Sequence, residues 1–278
     1  MSIYITMTAE IIHTKAHSKN LNITLEDIAP CLLHNNTFIM TTITNYGYIL
    51  YTLNMLKSLK PYGLDKSVFI VAMDERCAMI LKKAGYHVFC VHEKSLGKFC
   101  PWNMKGYDKI CYYKLELLYR ILSLEKNVLL IDGDIVFLKN PIDDILQWSN
   151  ETDDIWIQND TTDDESRKNM CTGYMFIKTS KKMCELYDCV SEEGQKKYLK
   201  CAFDNNDQTY FNDFVKPECN MNALPLAKYP NGNVFYRVSE EIYDTIIMVH
   251  FNWLVGHLKM AKMKEHKMWL LTEDEESF

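Results

Sequence analysis

The sequence predicts an α/β fold, with a mostly parallel sheet flanked by helices, in a single domain. Strand-like and helix-like segments alternate at short spacing from Thr37 to Val91, which is the pattern of a parallel sheet. The run Val128-Leu129-Leu130-Ile131 is continuously apolar, as in a strand buried on both faces. A helical stripe of Ile110, Tyr113, Leu117, Ile121 and Leu124 leads straight into that run.

Residues 1–35 read as an N-terminal extension with one helix, from Thr24 to about Leu33, because Thr24 and Asp27 have the spacing of a helix start. The domain proper spans 36–270. Its first strand is Thr37 to Ile43, rich in β-branched residues, and Thr44-Asn45-Tyr46-Gly47-Tyr48 follows as a loop. The helix Ile49 to Leu59 ends at Pro61-Tyr62-Gly63. Ser67 to Ala72 is the second strand, Glu75 to Ala84 a helix closed by Gly85, and Val88 to Val91 the third strand. Residues 93–108, with Gly97, Pro101, Trp102 and Gly106, form a loop before the helix Tyr107 to Leu124. Pro141 opens a short helix, Ile142 to Trp148.

Asp153 to Gln158 is a strand, and the acidic stretch 159–169 a mobile or substrate-facing loop. Cys171 to Ile177 is a strand, and helices cover Ser180 to Val190 and the segment to Tyr198. Asp207 stands near the start of a further helix. Short strands at Met221 to Leu224 and Val234 to Tyr236 flank the turn Tyr229 to Gly232. Ile246 to Val249 leads to His250, a Lys-rich helical stretch runs to Trp269, and the acidic tail 271–278 is expected to be disordered.

Composition narrows the function classes. The chain of 278 residues is 47% hydrophobic and 24% charged, with a net charge of −6. That balance argues against a nucleic-acid partner, which would call for a basic surface. No stretch approaches the roughly 20 apolar residues of a membrane span, and the N-terminus lacks a signal-peptide pattern. The expectation is a soluble, cytoplasmic protein. Ten cysteines without any Cys-x-x-Cys pair or zinc-like spacing read as reduced, buried thiols.

The chemistry centres on Asp132-Gly133-Asp134. Charge is costly within a buried strand, so both carboxylates should stand where the strand emerges into a crevice. Two hard oxygen ligands there suit Mg²⁺ or Mn²⁺, which can bridge a diphosphate. Gly133 allows close approach to the backbone. Neither a Gly-x-Gly-x-x-Gly fingerprint nor a Walker loop is present to hold phosphates in another way. Asp132-x-Asp134-x-Val136 also fits the nucleophile motif of HAD-type phosphatases, although three strand candidates precede it here.

Taken in order, these motifs resemble the nucleotide-diphospho-sugar transferases of the Rossmann-like GT-A fold. The chain looks most like glycosyltransferase family 77, and is similar to the glycogenin-containing family 8, over Thr37 to Trp269. The resemblance implies that Thr42, Thr44, Asn45 and Tyr48 hold the nucleoside. It implies that Asp132 and Asp134, with His250, bind Mn²⁺ or Mg²⁺, and that Asp132 and Gly133 border the nucleotide. Lys114 would face a donor phosphate or Asp132. The segment His250-Phe251-Asn252-Trp253-Leu254-Val255-Gly256-His257-Leu258-Lys259 matches the family's distal signature, which sets Gly256 and Lys259 on the diphosphate. Asp207-Gln208 matches a pair that in relatives lines the donor sugar, which implies hydroxyl binding for Asp207 and, for Gln208, stabilisation of the developing oxocarbenium or of a transient adduct. Cys171-Thr172-Gly173 departs from the Asn-Ser/Thr-Gly of relatives, and so loses an amide toward the sugar. The implied activity is metal-dependent, retaining transfer from a nucleotide sugar, most simply a UDP-sugar, to a hydroxyl on a glycan or protein. The alternatives are a nucleotide-sugar-binding relative that has lost turnover, and the phosphatase.

Overall fold

The computed structural model describes residues 21–100, 106–166, 168–201, 206–237 and 244–277. The expected extension up to Asn20, and the loop positions Pro101 and Trp102, lie outside them. The strands are β1 (Leu32–Leu33), β2 (Phe38–Thr44), β3 (Val68–Ala72), β4 (Val88–Cys90), β5 (Asn127–Ile131), β6 (Ile135–Phe137), β7 (Ile155–Asn159), β8 (Met170–Ile177), β9 (Met221–Leu224) and β10 (Met248–His250). The main sheet runs β4-β3-β2-β5-β8-β7-β9, with β1 attached to β2. β4, β3, β2 and β5 are mutually parallel. β8 is antiparallel to both β5 and β7, and β9 is parallel to β7. This is the mostly parallel sheet expected, with β5 at its centre. β5 is covered on both faces, and Val128 to Ile131 are fully buried.

The described helices are α1 (Leu25–Ile28), α2 (Ile49–Leu59), α3 (Glu75–Lys83), α4 (Tyr107–Ser123), α5 (Ile142–Asn150), α6 (Lys181–Tyr187), α7 (Glu192–Lys200), α8 (Asp207–Tyr210), α9 (Gly232–Phe235), α10 (His257–Glu265) and α11 (Glu273–Glu276). Thr24 and Asp27 form the capping box that starts α1. The helix stops far short of Leu33, however, because Pro30 turns the chain into a 3₁₀ turn and then β1. Leu21, Ile23, Ile28 and Cys31 join the core, and the Leu21 N–H donates to Glu116 at 2.7 Å. The segment ahead of β2 therefore covers α4, which is buried almost all round. Lys114 and Glu116 are enclosed along with its apolar stripe.

Two further expectations are corrected. Val234 to Tyr236 is not a strand but lies in and just after the helical turn α9. Asn231 caps that turn by accepting from the Val234 N–H, and a three-residue apolar run holds no period that separates the two states. The acidic tail is not disordered across 273–276. Thr272 and Glu275 make a capping box, Lys57 pairs with Glu275 at 2.5 Å, and the Trp269 indole donates to Glu276 at 2.6 Å. Within 159–169, Asn159 closes β7, and Asn159 and Asp160 are each held by several hydrogen bonds.

The sequence reading did not anticipate the small antiparallel ribbon of β6 and β10, in which Ile135 pairs with His250. It branches from the main sheet just after Asp134 and brings the C-terminal segment back to the carboxylates. The cysteines are free and mostly buried. Among the described residues no helix is long and apolar enough to cross a membrane.

Candidate active site

The chain leaves β5 in a tight turn. The Asp132 N–H donates to the Gly173 carbonyl at 2.7 Å, and the Phe251 N–H donates to the Asp134 carbonyl at 3.0 Å. Ligand atoms of Asp132, Asp134 and His250 consequently fall within 4.8 Å of one another. His250 Nε2 stands 3.2 Å from Asp134 Oδ1 and 3.9 Å from Asp132 Oδ2. Its other nitrogen is fixed from behind. A bulge in β7 between Ile157 and Gln158 turns Gln158 toward the ring. The Gln158 amide donates to the Tyr229 and Pro230 carbonyls at 3.2 and 3.1 Å, so its Oε1 is left to accept from His250 Nδ1 at 2.7 Å. The tautomer is thereby set with Nε2 directed at the two carboxylates, the arrangement by which a histidine is held as a metal ligand.

This donor set fits a divalent cation of the Mn²⁺ or Mg²⁺ type, with two hard oxygens and one imidazole nitrogen. Without one, protein cations balance the charge. Burial disfavours the imidazolium, yet Asp134 outweighs it and holds His250 well above its ordinary range. Burial likewise pushes the Asp134 carboxyl up, but Lys259 and His250 beside it hold it well below the usual carboxylate range. Lys259 sits directly on Asp134 Oδ2. There is no room to spare. A Cβ on Gly173 would lie 2.2 Å from His250 Cε1 and 2.7 Å from Asp132 Oδ2. Gly133 is also confined, but by Thr52 of α2, whose Oγ1 would be 2.7 Å from its Cβ. The group that approaches Gly133 closely is therefore this chain's own helix.

Lys114 is no surface residue. Its Nζ bridges Asp132 Oδ1 at 2.8 Å and Asp207 Oδ2 at 2.9 Å, with the lysine and Asp207 both buried. The Thr172 hydroxyl donates to the same Asp207 oxygen at 2.5 Å. Burial raises the Asp207 carboxyl, and Lys114 with Thr172 more than reverses this. Asn206, not Asp207, caps α8. Gln208 donates to Asp160 Oδ2 at 3.0 Å. Asp160 is a hub that the sequence reading missed. Its Oδ1 accepts from Asn252 and from the Trp253 indole, both at 3.0 Å, and its Oδ2 accepts from Asn169 at 3.1 Å as well as Gln208. One signal was available. Asp160 directly follows β7, which is parallel to β5, so it occupies the same end of the sheet as Asp132.

On the other side of β5, Thr44, Asn45 and Tyr48 gather at the end of β2 and just after it. Asn45 accepts from the Tyr48 N–H at 3.0 Å and donates to the Lys98 carbonyl at 2.9 Å. The Tyr48 ring stacks on Phe99, with centroids 4.7 Å apart. Thr44 accepts from the Thr52 hydroxyl at 2.8 Å. Thr42, expected with them, is fully buried in β2, and Thr44 and Asn45 are buried too, so of the four only Tyr48 presents partly exposed surface. Gly256 adopts φ +55, and α10 starts immediately after it, with Lys259 in the first turn. The Tyr51 hydroxyl donates to the Gly256 carbonyl at 2.8 Å and ties this turn to α2.

Comparison with known proteins agrees with this layout. Residues 63–265 match the model of a family described as nucleotide-diphospho-sugar transferase. A Dictyostelium discoideum protein, UDP-galactose:fucoside alpha-3-galactosyltransferase, is 22% identical over an alignment 289 positions long, gaps included. The alignment covers 83% of this chain and 43% of the relative, so the chain spans less than half of that protein's length. Among solved structures, a glycosyltransferase involved in glycosylation of the major capsid of PBCV-1 superposes with TM-score 0.50 at 10% identity, covering 82% of this chain and 99% of that one. The apo form of glycosyltransferase GlyE from Streptococcus pneumoniae TIGR4 gives TM-score 0.52 at 13% identity, covering 85% and 61%. These structures share the GT-A fold, and the family match displaces the phosphatase alternative. The chain belongs to the nucleotide-diphospho-sugar transferase family.

Proposed function

We propose that the protein is a metal-dependent, retaining glycosyltransferase that moves a sugar from a UDP-sugar to a hydroxyl acceptor on a glycan or protein. The observation that carries this reading is the cluster of Asp132, Asp134 and His250, with Lys259 and the start of α10 on one side. Asp132, Asp134 and His250 would hold a Mn²⁺ or Mg²⁺ ion, which when bound supplies the Lewis acidity that neutralises a diphosphate leaving group. Lys259 leaves Asp134 for the diphosphate and adds a second positive charge, supported by the N-terminal end of α10. Thr44, Asn45 and Tyr48 form the nucleoside side of the crevice, and Gln208 faces the donor sugar.

In the reaction the bond from the sugar's anomeric carbon to the β-phosphate oxygen breaks, and its electron pair stays on UDP. The acceptor oxygen bonds to the same face of that carbon, and its proton passes to the departing phosphate. Retention is favoured because the two buried or tethered acids beside the metal cluster, among the described residues, are already engaged. Asp207 is engaged by Lys114 and Thr172, and both oxygens of Asp160 accept N–H groups. UDP-galactose is the first donor to test, since the Dictyostelium relative is described as using it. Asp134→Ala should lower Mn²⁺-dependent sugar transfer or release by about 100-fold or more, at least the loss seen for groups that merely orient a ligand. Unchanged turnover in that variant would falsify the reading. Binding of UDP-sugars without any turnover in the intact protein would instead identify an inactive relative.

A further inference from the structure

Trp253 stands apart from the metal, diphosphate and nucleoside contacts, three residues after His250. It is 57% exposed, unusual for the largest apolar side chain, yet it is not loose. Its φ is +64, a left-handed conformation that a bulky residue adopts only when its surroundings impose it. The surroundings are identifiable. The indole N–H donates to Asp160 Oδ1 at 3.0 Å, and the neighbouring Asn252 amide donates to the same oxygen. Asn252 is itself pinned, because its Oδ1 accepts from the Gly232 N–H at 2.7 Å and its carbonyl accepts from the Tyr236 hydroxyl at 2.9 Å. The ring is therefore held by its polar edge while much of its surface stays in solvent. Core packing does not explain a strained, tethered and exposed indole.

Asp160 holds Trp253 with one oxygen and Gln208 with the other. The indole is thus one carboxylate away from the side chain that faces the donor sugar. Val255 and Leu258 are also exposed on this segment, interleaved with polar His257. A lipid would call for a continuous apolar rim. A pyranose has one apolar C–H face and a rim of hydroxyls, which matches a fixed aromatic face set among polar groups.

We propose that Trp253 is the acceptor platform: a pyranose of the acceptor stacks on its indole, with Asp160 orienting the ring relative to Gln208. This rests on the donor-site reading above. The test uses Trp253→Ala, Trp253→Phe and Trp253→Gly, the last because glycine tolerates the left-handed backbone. Methyl glycosides of fucose, galactose, glucose, mannose and xylose are titrated by saturation-transfer NMR in the presence of UDP and Mn²⁺. At least one should bind the intact protein. Trp253→Ala and Trp253→Gly should weaken it about tenfold, the worth of one stacked ring, and Trp253→Phe, which keeps a ring but loses the N–H to Asp160, should restore only part of the affinity. UDP affinity with Mn²⁺ should stay the same in all variants. Intact UDP binding with no glycoside bound, or glycoside binding that ignores the Ala and Gly variants, overturns the platform alone. Failure of the wild type to bind UDP overturns the donor reading as well.

Discussion

Lys114→Met is the most informative single change. The substitution keeps the length of the side chain and removes its charge. Lys114 Nζ lies 2.8 Å from Asp132 and 2.9 Å from Asp207, and the Asp207 side chain is only 4% exposed. Burial works against the lysine's charge, and these two carboxylates more than compensate, raising it well above its ordinary range. Without it Asp207 is a buried carboxylate left with the uncharged Thr172 hydroxyl and Cys111 thiol as side-chain donors. Removing one partner of such a pair costs roughly 3–5 kcal/mol. For a domain of this size that is a melting-temperature drop of about 6–20 °C, at 2–4 °C per kcal/mol. Asp207→Asn should be milder, because Lys114 keeps Asp132 and the amide oxygen still accepts from Thr172. The double variant should be less destabilised than the sum of the singles by at least about 1 kcal/mol, the sign of direct coupling. Urea denaturation of all four proteins, with slopes compared, measures each term. A loss below about 1 kcal/mol for Lys114→Met would mean a solvated lysine and would refute the buried-bridge argument.

Four further outcomes follow from the site's geometry. Gly173→Ala should abolish the stabilisation given by Mn²⁺ and cost about 1–3 kcal/mol in its absence, because its Cβ would overlap His250 Cε1; a wild-type thermal shift with Mn²⁺ would contradict this. Gln158→Leu removes the acceptor that fixes the His250 tautomer, and calorimetry should show Mn²⁺ bound about 10–100-fold more weakly. Lys259→Gln should tighten Mn²⁺ binding without nucleotide, by about tenfold for one lost charged contact, while weakening UDP; equal affinity in both proteins would show that the lysine does not compete. Finally, burial raises the Glu116 carboxyl above its ordinary value of 4.5, against the pull of Arg120 and the Leu21 N–H. A carboxyl raised by folding favours the fold at low pH and loses that advantage as pH climbs through 4.5 and then the raised value. Relative to Glu116→Gln, the wild type should be more stable at about pH 4 than at about pH 7 in paired urea melts, and a flat difference would count against the burial argument.

Much of the scaffold was legible because its signals are local. β2, β3, β4, β5 and the helices between them carry continuous apolar runs or a 3.6-residue stripe, bounded by Gly63, Gly85 and Pro141. Asp132, Asp134 and His250 were legible as a set only through the family pattern, since the pair β6–β10 that joins them spans two short apolar runs without a turn signal between. What stayed hidden was long-range coverage. Glu116 looks like part of a solvated helix face until the segment beginning at Leu21 is laid over α4, and the expectation that Lys114 faces Asp132 did not include its second partner, Asp207. Asp160 looked like one acid in an acidic loop, and only the fold reveals four donors converging on it. The tail illustrates the reverse case. Its composition resembles disorder, but Lys57 and Trp269 give it partners that composition does not encode.

The ribbon of β6 and β10 also sets when the site can exist during folding. His250 and Asp134 are 116 positions apart, and nothing local brings them together. The two carboxylates and β5 can be in place as soon as the parallel core has formed, but His250, the third ligand of the proposed metal site, arrives only when the distal strand docks on Ile135–Phe137. Closing so long a loop is a slow, late step, favoured only after the rest of the sheet is in place to receive it. Tight metal capture would then be a property of the completed chain, and a nascent or partly unfolded molecule would hold the ion weakly through two acids alone.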